Sequence, residues 1–453
     1  MTNPVIEHKK ITRKLALRLD ADEIYFWLNN HGYYPESQIL PPCFQVCESP
    51  KKPKQYFKVT KTKRGTNFKP KMSELLKVQF PKTELTDRVF GVIDPEIHND
   101  ISFHISRNWK QLIKALFHKE NDVISYSFPI PIDKKMPGRV GSLRAGRMIY
   151  EYIEMVDKDI TSIAYQYTHI VKTDIKNFYP SIYTHSISWA IHGKEYIRRP
   201  ANKFNHELVG NKLDKLFQNA NDGCTNGIPV GPVVSELISE IIVSGVDRKF
   251  SQLAKMKGVK CQAVRYRDDY RILVNSEADG KLAIKLLQDS LKEFNLELSD
   301  NKTSVQYLPA GLFREWVSKY YMVSPVKKKQ YSWVEFREIY LAVLLIDKEC
   351  APTGVIDRFL SDITTREGMI KISLSESNIQ KVMSMLLMMG RQRIRSFPKV
   401  IAILESILKD PFGVHHKDEI LSYLESFLKK LSLDEERNKY LISWICKRSI
   451  NHI

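Results

Sequence analysis

Asp174 ends the run Ile170-Val171-Lys172-Thr173, which is rich in β-branched residues. Asp268 and Asp269 lie between Val264-Arg265-Tyr266-Arg267 and Tyr270-Arg271-Ile272-Leu273-Val274. Two apolar half-strands around two adjacent acids read as a tight hairpin. A strand-end carboxylate and a pair at a hairpin tip can converge on two divalent ions. Such ions stabilise both the attacking and the leaving oxygen of a nucleotidyl transfer. A lone Asp after an apolar run is most often a turn or cap residue, so the weight of Asp174 comes from the second pair. Adjacent strand residues face opposite sides. Asp268 is therefore expected as the firm ligand, and Asp269 as a looser one brought in by the twist of the turn. Mg²⁺ suits such a set, because it takes few protein carboxylates and keeps positions for water and phosphate.

Other residues fit around that chemistry. Tyr179 follows Asp174 by five positions, where its ring could lie beneath a sugar and clash with a 2′-hydroxyl. Phe178 beside it also reads as a core aromatic. Gly227-Ile228-Pro229-Val230-Gly231-Pro232 is a turn-rich loop whose glycines let backbone approach a substrate closely. It places Pro229 and Gly231 among the candidate nucleotide contacts. Lys302 could protonate or neutralise a leaving pyrophosphate, although it also reads as a surface lysine. Arg144 and Arg147 sit three apart, so on a helical turn they share a face and could grip a triphosphate.

The elements that position these residues alternate in type. Strand-like stretches are expected at 170–175, 263–266 and 271–274. Helices are expected at 186–192, 233–250 and 281–294, and an extended stretch at 296–307. Earlier, apolar residues at helical spacing run from 11 to 27 (Leu15, Leu17, Leu19, Ile24, Trp27), and a helix is expected over 109–118. Beyond 310 amphipathic helices dominate, at 335–348, 379–390, 400–408, 419–431 and 437–447. The Met residues at 383, 385, 388 and 389 read as core filler rather than a binding strip. The fold class is α+β, read as three regions: 1–160, 161–310 and a helical 311–453.

The chain has 453 residues, 70 Lys and Arg against 52 Asp and Glu, and a net charge of +18. That excess favours a polyanion, nucleic acid before membrane. No apolar run is long enough to span a bilayer, and the polar N-terminus lacks a signal-peptide core. Six scattered cysteines form no second close pair for a zinc site, so a reducing cytoplasm is expected. Residues 51–88 are strongly basic. Lys58, Lys61, Lys63 and Arg64 lie there among Tyr56, Phe57 and Phe68. Cations between aromatics can neutralise phosphates while the rings stack on bases.

In order and spacing these segments resemble the palm motifs of reverse transcriptases. Asp174 with Phe178-Tyr179 resembles the first motif, and 227–232 with Ser235 the second. Tyr266-Arg267-Asp268-Asp269 resembles the Tyr-x-Asp-Asp box, and Asn301-Lys302-Thr303 the motif after it. The string from Asp174 through Tyr183-Thr184-His185 to His192-Gly193-Lys194 is similar to the abortive-infection and "unknown group" enzymes of bacteria, as is Leu40-Pro41-Pro42-Cys43-Phe44.

The resemblance implies right-hand fingers and palm, with fingers elements interleaved near 195–230. It also implies an all-helical C-terminal region with HEAT-like repeats. It implies Mg²⁺-dependent synthesis of DNA from dNTPs on a noncoding RNA template, in anti-phage defence in the bacterial cytoplasm. Two Mg²⁺, with Mn²⁺ as a substitute, would be held by Asp174, Asp268, Asp269 and the Ile175 carbonyl. A homo-oligomer or a second defence protein is an implied partner. Val230 stands where retroviral and group II intron enzymes usually carry Gln. Template-independent, protein-primed DNA synthesis is therefore the first alternative. A catalytically idle nucleic-acid-binding subunit is the alternative of another class.

Overall fold

The computed structural model describes residues 3–35, 39–41, 44–48, 50–62, 65–81, 86–141, 150–324, 328–350 and 353–450. The chain divides into two compact units. The first comprises Met1–Glu36, Gln45–Val78 and Phe90–Phe313. The second comprises Ser37–Phe44, Gln79–Val89 and Arg314–Ile453.

The first unit is built on one sheet of five strands. They are β1 (Ile124–Ser125), β2 (His169–Asp174), β3 (Cys261–Tyr266), β4 (Asp269–Val274) and β5 (Ser304–Tyr307). Their spatial order is β1-β3-β4-β2-β5. β1 runs parallel to β3 and every other pairing is antiparallel. β2 lies between β4 and β5, with Ile170, Val171, Thr173 and Asp174 all buried. It stops at Asp174 because Asn177 adopts a left-handed φ of 46°, which Asn tolerates better than β-branched residues do. A helical turn, Phe178–Ser181, follows at once.

The 24-residue helix Val233–Met256 packs against Ser186–His192 and Glu277–Lys292. Its Val233, Leu237, Ile241 and Val246 are fully or almost fully buried in the main core. The helix continues beyond the expected end at 250, to Met256. The apolar periodicity over 11–27 belongs to two helices, Pro4–Ala16 and Ala21–Asn30. Asp20 makes the break, since its carboxylate accepts from the amides of Asp22 and Glu23 at 2.8 and 3.1 Å. Between 296 and 307 the expected extended stretch is interrupted by a 3₁₀ turn, Asp300–Lys302.

From Arg314 onward the second unit is helical apart from isolated bridges. Phe336, Phe359, Val382, Leu386, Phe397 and Ile407 are buried there. Met383 and Met389 are buried with them, whereas Met388 is exposed. Glu315–Val323 and Val355–Asp362 are helices that the periodicity reading did not pick out. Among the described residues no helix is long and apolar enough to cross a membrane.

Candidate active site

The hairpin joining β3 and β4 turns through two residues, Arg267 and Asp268. Tyr266 pairs with Asp269 on one side, and Asp269 pairs with Asp174 on the other. Directly opposed residues share a face, with Cβ atoms about 5 Å apart. Tyr266, Asp269 and Asp174 thus form one row across three strands. Asp268 sits in the turn, and its carbonyl accepts from the Ile175 amide at 3.2 Å. The strand end is fixed from the other side as well. Ser299 donates its amide to the Asp174 carbonyl at 2.8 Å, and Lys176 donates to Glu297 at 2.9 Å. The 3₁₀ turn before β5 then presents Lys302, whose Nζ lies 2.7 Å from Asp174 Oδ2.

Three carboxylates in one place repel. Burial, and then the negative charge of Asp174, raise the pKa of Asp268. Asp269 opens to solvent on one side, yet surrounding protein together with Asp268 and Asp174 pushes its pKa up to about 7. The hydrogen bond to Asp174 raises that of Lys302. It is Asp269 that stands in register with Asp174, while Asp268 depends on the turn.

Tyr179 lies on the helical turn after β2, half-buried against the main core. Burial and the nearby Glu236 charge raise its hydroxyl pKa. Phe178, counted among the nucleotide contacts by sequence, is 5% exposed and belongs to the core. Its ring lies 5.2 Å from that of Tyr179, so it backs the tyrosine instead of reaching a substrate. The 227–232 loop zips onto this turn. Ile228 donates its amide to the Tyr179 carbonyl at 3.1 Å, and Gly227 to the Ile182 carbonyl at 2.8 Å. Val230 accepts from the Gly91 amide at 3.0 Å. Gly231 has φ +122°, and a Cβ there would meet Pro35 Cγ at 2.6 Å, so only glycine fits. Pro229 and Gly231 are thereby held in the loop that abuts Tyr179.

A buried polar cluster behind the hairpin escaped the sequence reading. Arg265 is 1% exposed. Its guanidinium donates to both oxygens of Glu240 (2.9 and 3.1 Å), to Asp247 (3.1 Å) and to the Arg267 carbonyl (2.7 Å). Tyr270 donates to the other Asp247 oxygen at 2.6 Å. Ser127 donates to Glu240 at 2.6 Å and accepts from the Arg267 amide at 2.8 Å. Arg267 has φ +54°, rare for a residue with a side chain. Both its backbone groups are tied to the cluster, which holds the strained turn in place. Glu236, Glu240 and Asp247 are acids at spacings of four and seven on a helix buried throughout 233–247. That spacing was the signal available in the sequence.

Lys58 and Lys61 are exposed, with Lys61 on a short hairpin strand 3.3 Å from Glu207. Lys63, Arg64, Arg144 and Arg147 lie outside the described residues.

Residues 117–336 match the family described as "Reverse transcriptase (RNA-dependent DNA polymerase)". This segment is a reverse transcriptase domain. It makes the chain an RNA-directed DNA polymerase, and it contains Asp174, Tyr179, the 227–232 loop, Asp268, Asp269 and Lys302. Among solved structures the chain is similar to apo telomerase from Candida tropicalis, with 12% identity and a TM-score of 0.36 over 86% of this chain and 70% of that one. It is also similar to telomerase from Candida albicans in complex with a TWJ fragment of telomeric RNA, with 10% identity and a TM-score of 0.32 over 82% and 63%. No curated protein matches the chain.

Reverse transcriptases use divalent metal ions, and the donor set at the strand ends fits one. It consists of hard carboxylate oxygens whose mutual repulsion a dication would relieve. Among the described residues no three His, Cys, Asp or Glu side chains already close around a point.

Proposed function

We propose that the protein is a defence-associated reverse transcriptase of bacteria. It makes DNA from dNTPs on a noncoding RNA template, with Mg²⁺, in the cytoplasm, as part of anti-phage defence. The observation that carries the chemistry is the convergence of Asp174 with Asp268 and Asp269 at neighbouring strand ends. The defence branch is supported by the similarity of the 174–194 string and of 40–44 to abortive-infection enzymes.

In this reading Asp174, Asp268 and Asp269, with the Ile175 carbonyl, would hold two Mg²⁺. These supply Lewis-acid stabilisation of the attacking and leaving oxygens when bound. The residues of the chain do the rest. Tyr179 screens the sugar. The 227–232 backbone borders the incoming nucleotide. Lys302 gives a proton or a charge to the departing pyrophosphate. Arg144 and Arg147 are assigned to the triphosphate.

Purified wild type should incorporate labelled dNTP into an RNA-templated product, and Asp174→Ala and Asp268→Ala should abolish it. Retained incorporation in either variant would end the assignment. Val230 in the second motif favours a second reading, template-independent and protein-primed synthesis. Sequencing the product separates the two: a defined copy supports a template, and a random or homopolymeric tract supports its absence.

A further inference from the structure

The buried cluster behind the hairpin does not balance its own charge. Arg265 serves two buried carboxylates, Glu240 and Asp247, so the three groups are one positive charge short. A buried carboxylate without a cation is costly. Tyr270 and Ser127 donate hydrogen bonds to these acids but bring no charge. The Arg267 guanidinium turns to Glu236 instead, at 3.5 Å. Beside the cluster lies a cavity of about 20 Å³, room for one water molecule. Glu240, Asp247, Ser125 and Ser244 line it together with Lys9.

Lys9 is half-buried on the helix Pro4–Ala16, far from these acids in the chain. Three contacts seat that helix on the edge of the sheet. Asn3 donates to Gln262 Oε1 on β3 at 3.3 Å. The His8 ring stacks on Tyr126 with centroids 3.9 Å apart. Lys9 Nζ donates to the Asn121 carbonyl, and Asn121 donates to Ser244 Oγ at 3.3 Å. Burial lowers the pKa of Lys9, against the pull of Asp122 and Asp247. Asp122 has a cation of its own, Lys255 at 2.7 Å. Asp247 has to share Arg265 with Glu240.

The segment that this helix grips leads to the catalytic turn. Ser125 and Ser127 both donate to Glu240, at 2.8 and 2.6 Å. Between them the Tyr126 amide donates to the Arg265 carbonyl at 2.8 Å. Ser127 Oγ then accepts from the amide of Arg267, the residue before Asp268, at 2.8 Å. We propose that Lys9 is a positioning residue of the polymerase site. Its ammonium is the second cation of the buried cluster, and through Asn121, the 125–127 segment and the Arg267 backbone it holds Asp268 in place. The consequence for catalysis rests on the reading of Asp268 as a metal ligand; the effect on the turn does not.

The test therefore has two arms, both on the full chain, with thermal midpoints to confirm that each variant is folded. Hydrogen exchange in chelator reads the turn itself. Lys9→Met should speed exchange in peptides covering 265–270 by about tenfold or more, as a lost buried partner does. Incorporation of labelled dNTP reads the consequence. The same variant should raise the half-saturating Mg²⁺ concentration and lower kcat, each by about tenfold, as changes behind metal ligands do. The KM for dNTP should stay within about twofold of wild type, because substrate contacts are untouched. Lys9→Gln can still reach the Asn121 carbonyl but carries no charge, and should behave like Lys9→Met. Adding Asp247→Asn to Lys9→Met rebalances the cluster and should recover most of the loss in both arms. Lys10→Met, on an exposed neighbour, should match wild type.

Unchanged exchange at 265–270 in Lys9→Met overturns the proposal. Faster exchange with wild-type kcat and Mg²⁺ requirement overturns it too, since Lys9 would then be a structural lysine only. A wild-type Lys9→Gln, or a loss that Asp247→Asn deepens, rules out the charge balance. Asp268→Ala is run alongside. Incorporation retained there fells the carboxylate assignment, and exchange still decides whether Lys9 holds the turn. An inactive Asp268→Ala beside an unaffected Lys9→Met fells the role of Lys9 alone.

Discussion

Asp174 and Asp269 are directly opposed on neighbouring antiparallel strands, so their carboxyl groups share one face of the sheet at its open end. With Asp268 alongside, the metal-free site gathers negative charge, which Lys302 and Arg267 partly offset. Replacing Asp269 by Asn should therefore stabilise the protein in chelator, by about 2 °C or more in thermal midpoint. The same change should impair Mg²⁺-dependent incorporation. A lower midpoint in chelator would show that the three acids do not strain one another.

The pH dependence has a definite sign. The folded pKa of Asp269 is raised to about 7 from an ordinary 3.8. The folded site therefore binds its proton more tightly than the unfolded chain does. Stability from this group falls as pH rises from about 4 to 7 and is level above. Metal binding must displace that proton. The half-saturating Mg²⁺ concentration should fall by up to about tenfold from pH 6 to 7 and change little from 7.5 to 8.5. Metal titrations of incorporation at these values decide it. A requirement independent of pH below 7 would sink the idea.

Lys302 competes with metal for Asp174, since its ammonium lies 2.7 Å from a carboxylate oxygen. Lys302→Ala should therefore do two things in opposite directions. Turnover should drop by about a hundredfold, the lower end for a lost general acid. The Mg²⁺ requirement should fall, because Asp174 is freed. Lys302→Arg keeps the charge but not an accessible proton, and should restore little turnover. Turnover within twofold of wild type for Lys302→Ala would remove Lys302 from the chemistry.

Much of this was legible because it is local. The Asp-Asp hairpin announced itself through period-2 apolar flanks, and 186–192 matches its helix residue for residue. What stayed hidden is long-range. Arg265 sits in a strand and its partners Glu240 and Asp247 on the preceding helix, 25 and 18 positions back. Periodicity reports which face of a helix is buried, not which strand residue will meet it. The break at Asp20 was missed for a related reason. A single cap overrides an apolar period that runs straight through it. The pairing of β4 with β2, which only the sheet supplies, sets Asp269 opposite Asp174.

Arg265 gives a prediction about the support of the site. Arg265→Met leaves Glu240 and Asp247 buried without their cation, and should cost about 3–5 kcal/mol in urea unfolding. The triple change Arg265→Met, Glu240→Gln, Asp247→Asn removes the orphaned charges along with it. It should be less destabilised than the single variant, because the three groups act as one unit. Costs that simply add would show that the cluster is three independent contacts.

Tyr179 offers the sharpest reading of substrate choice. Its ring is half-buried, backed by Phe178 at 5.2 Å, and its carbonyl is pinned by Ile228 at 3.1 Å, so it cannot easily swing aside. A rigid ring discriminates by exclusion, and steric pockets of this kind give about 10- to 200-fold selectivity. Tyr179→Ala should raise the ratio of kcat/KM for CTP over dCTP by that order. Tyr179→Phe should leave the ratio near wild type, because the ring and not the hydroxyl does the excluding. If Tyr179→Phe loosened sugar choice as much as Tyr179→Ala, selection would run through the hydroxyl, which lies near Glu236 and Ser239. An unchanged ratio in Tyr179→Ala would mean the sugar is screened by another residue.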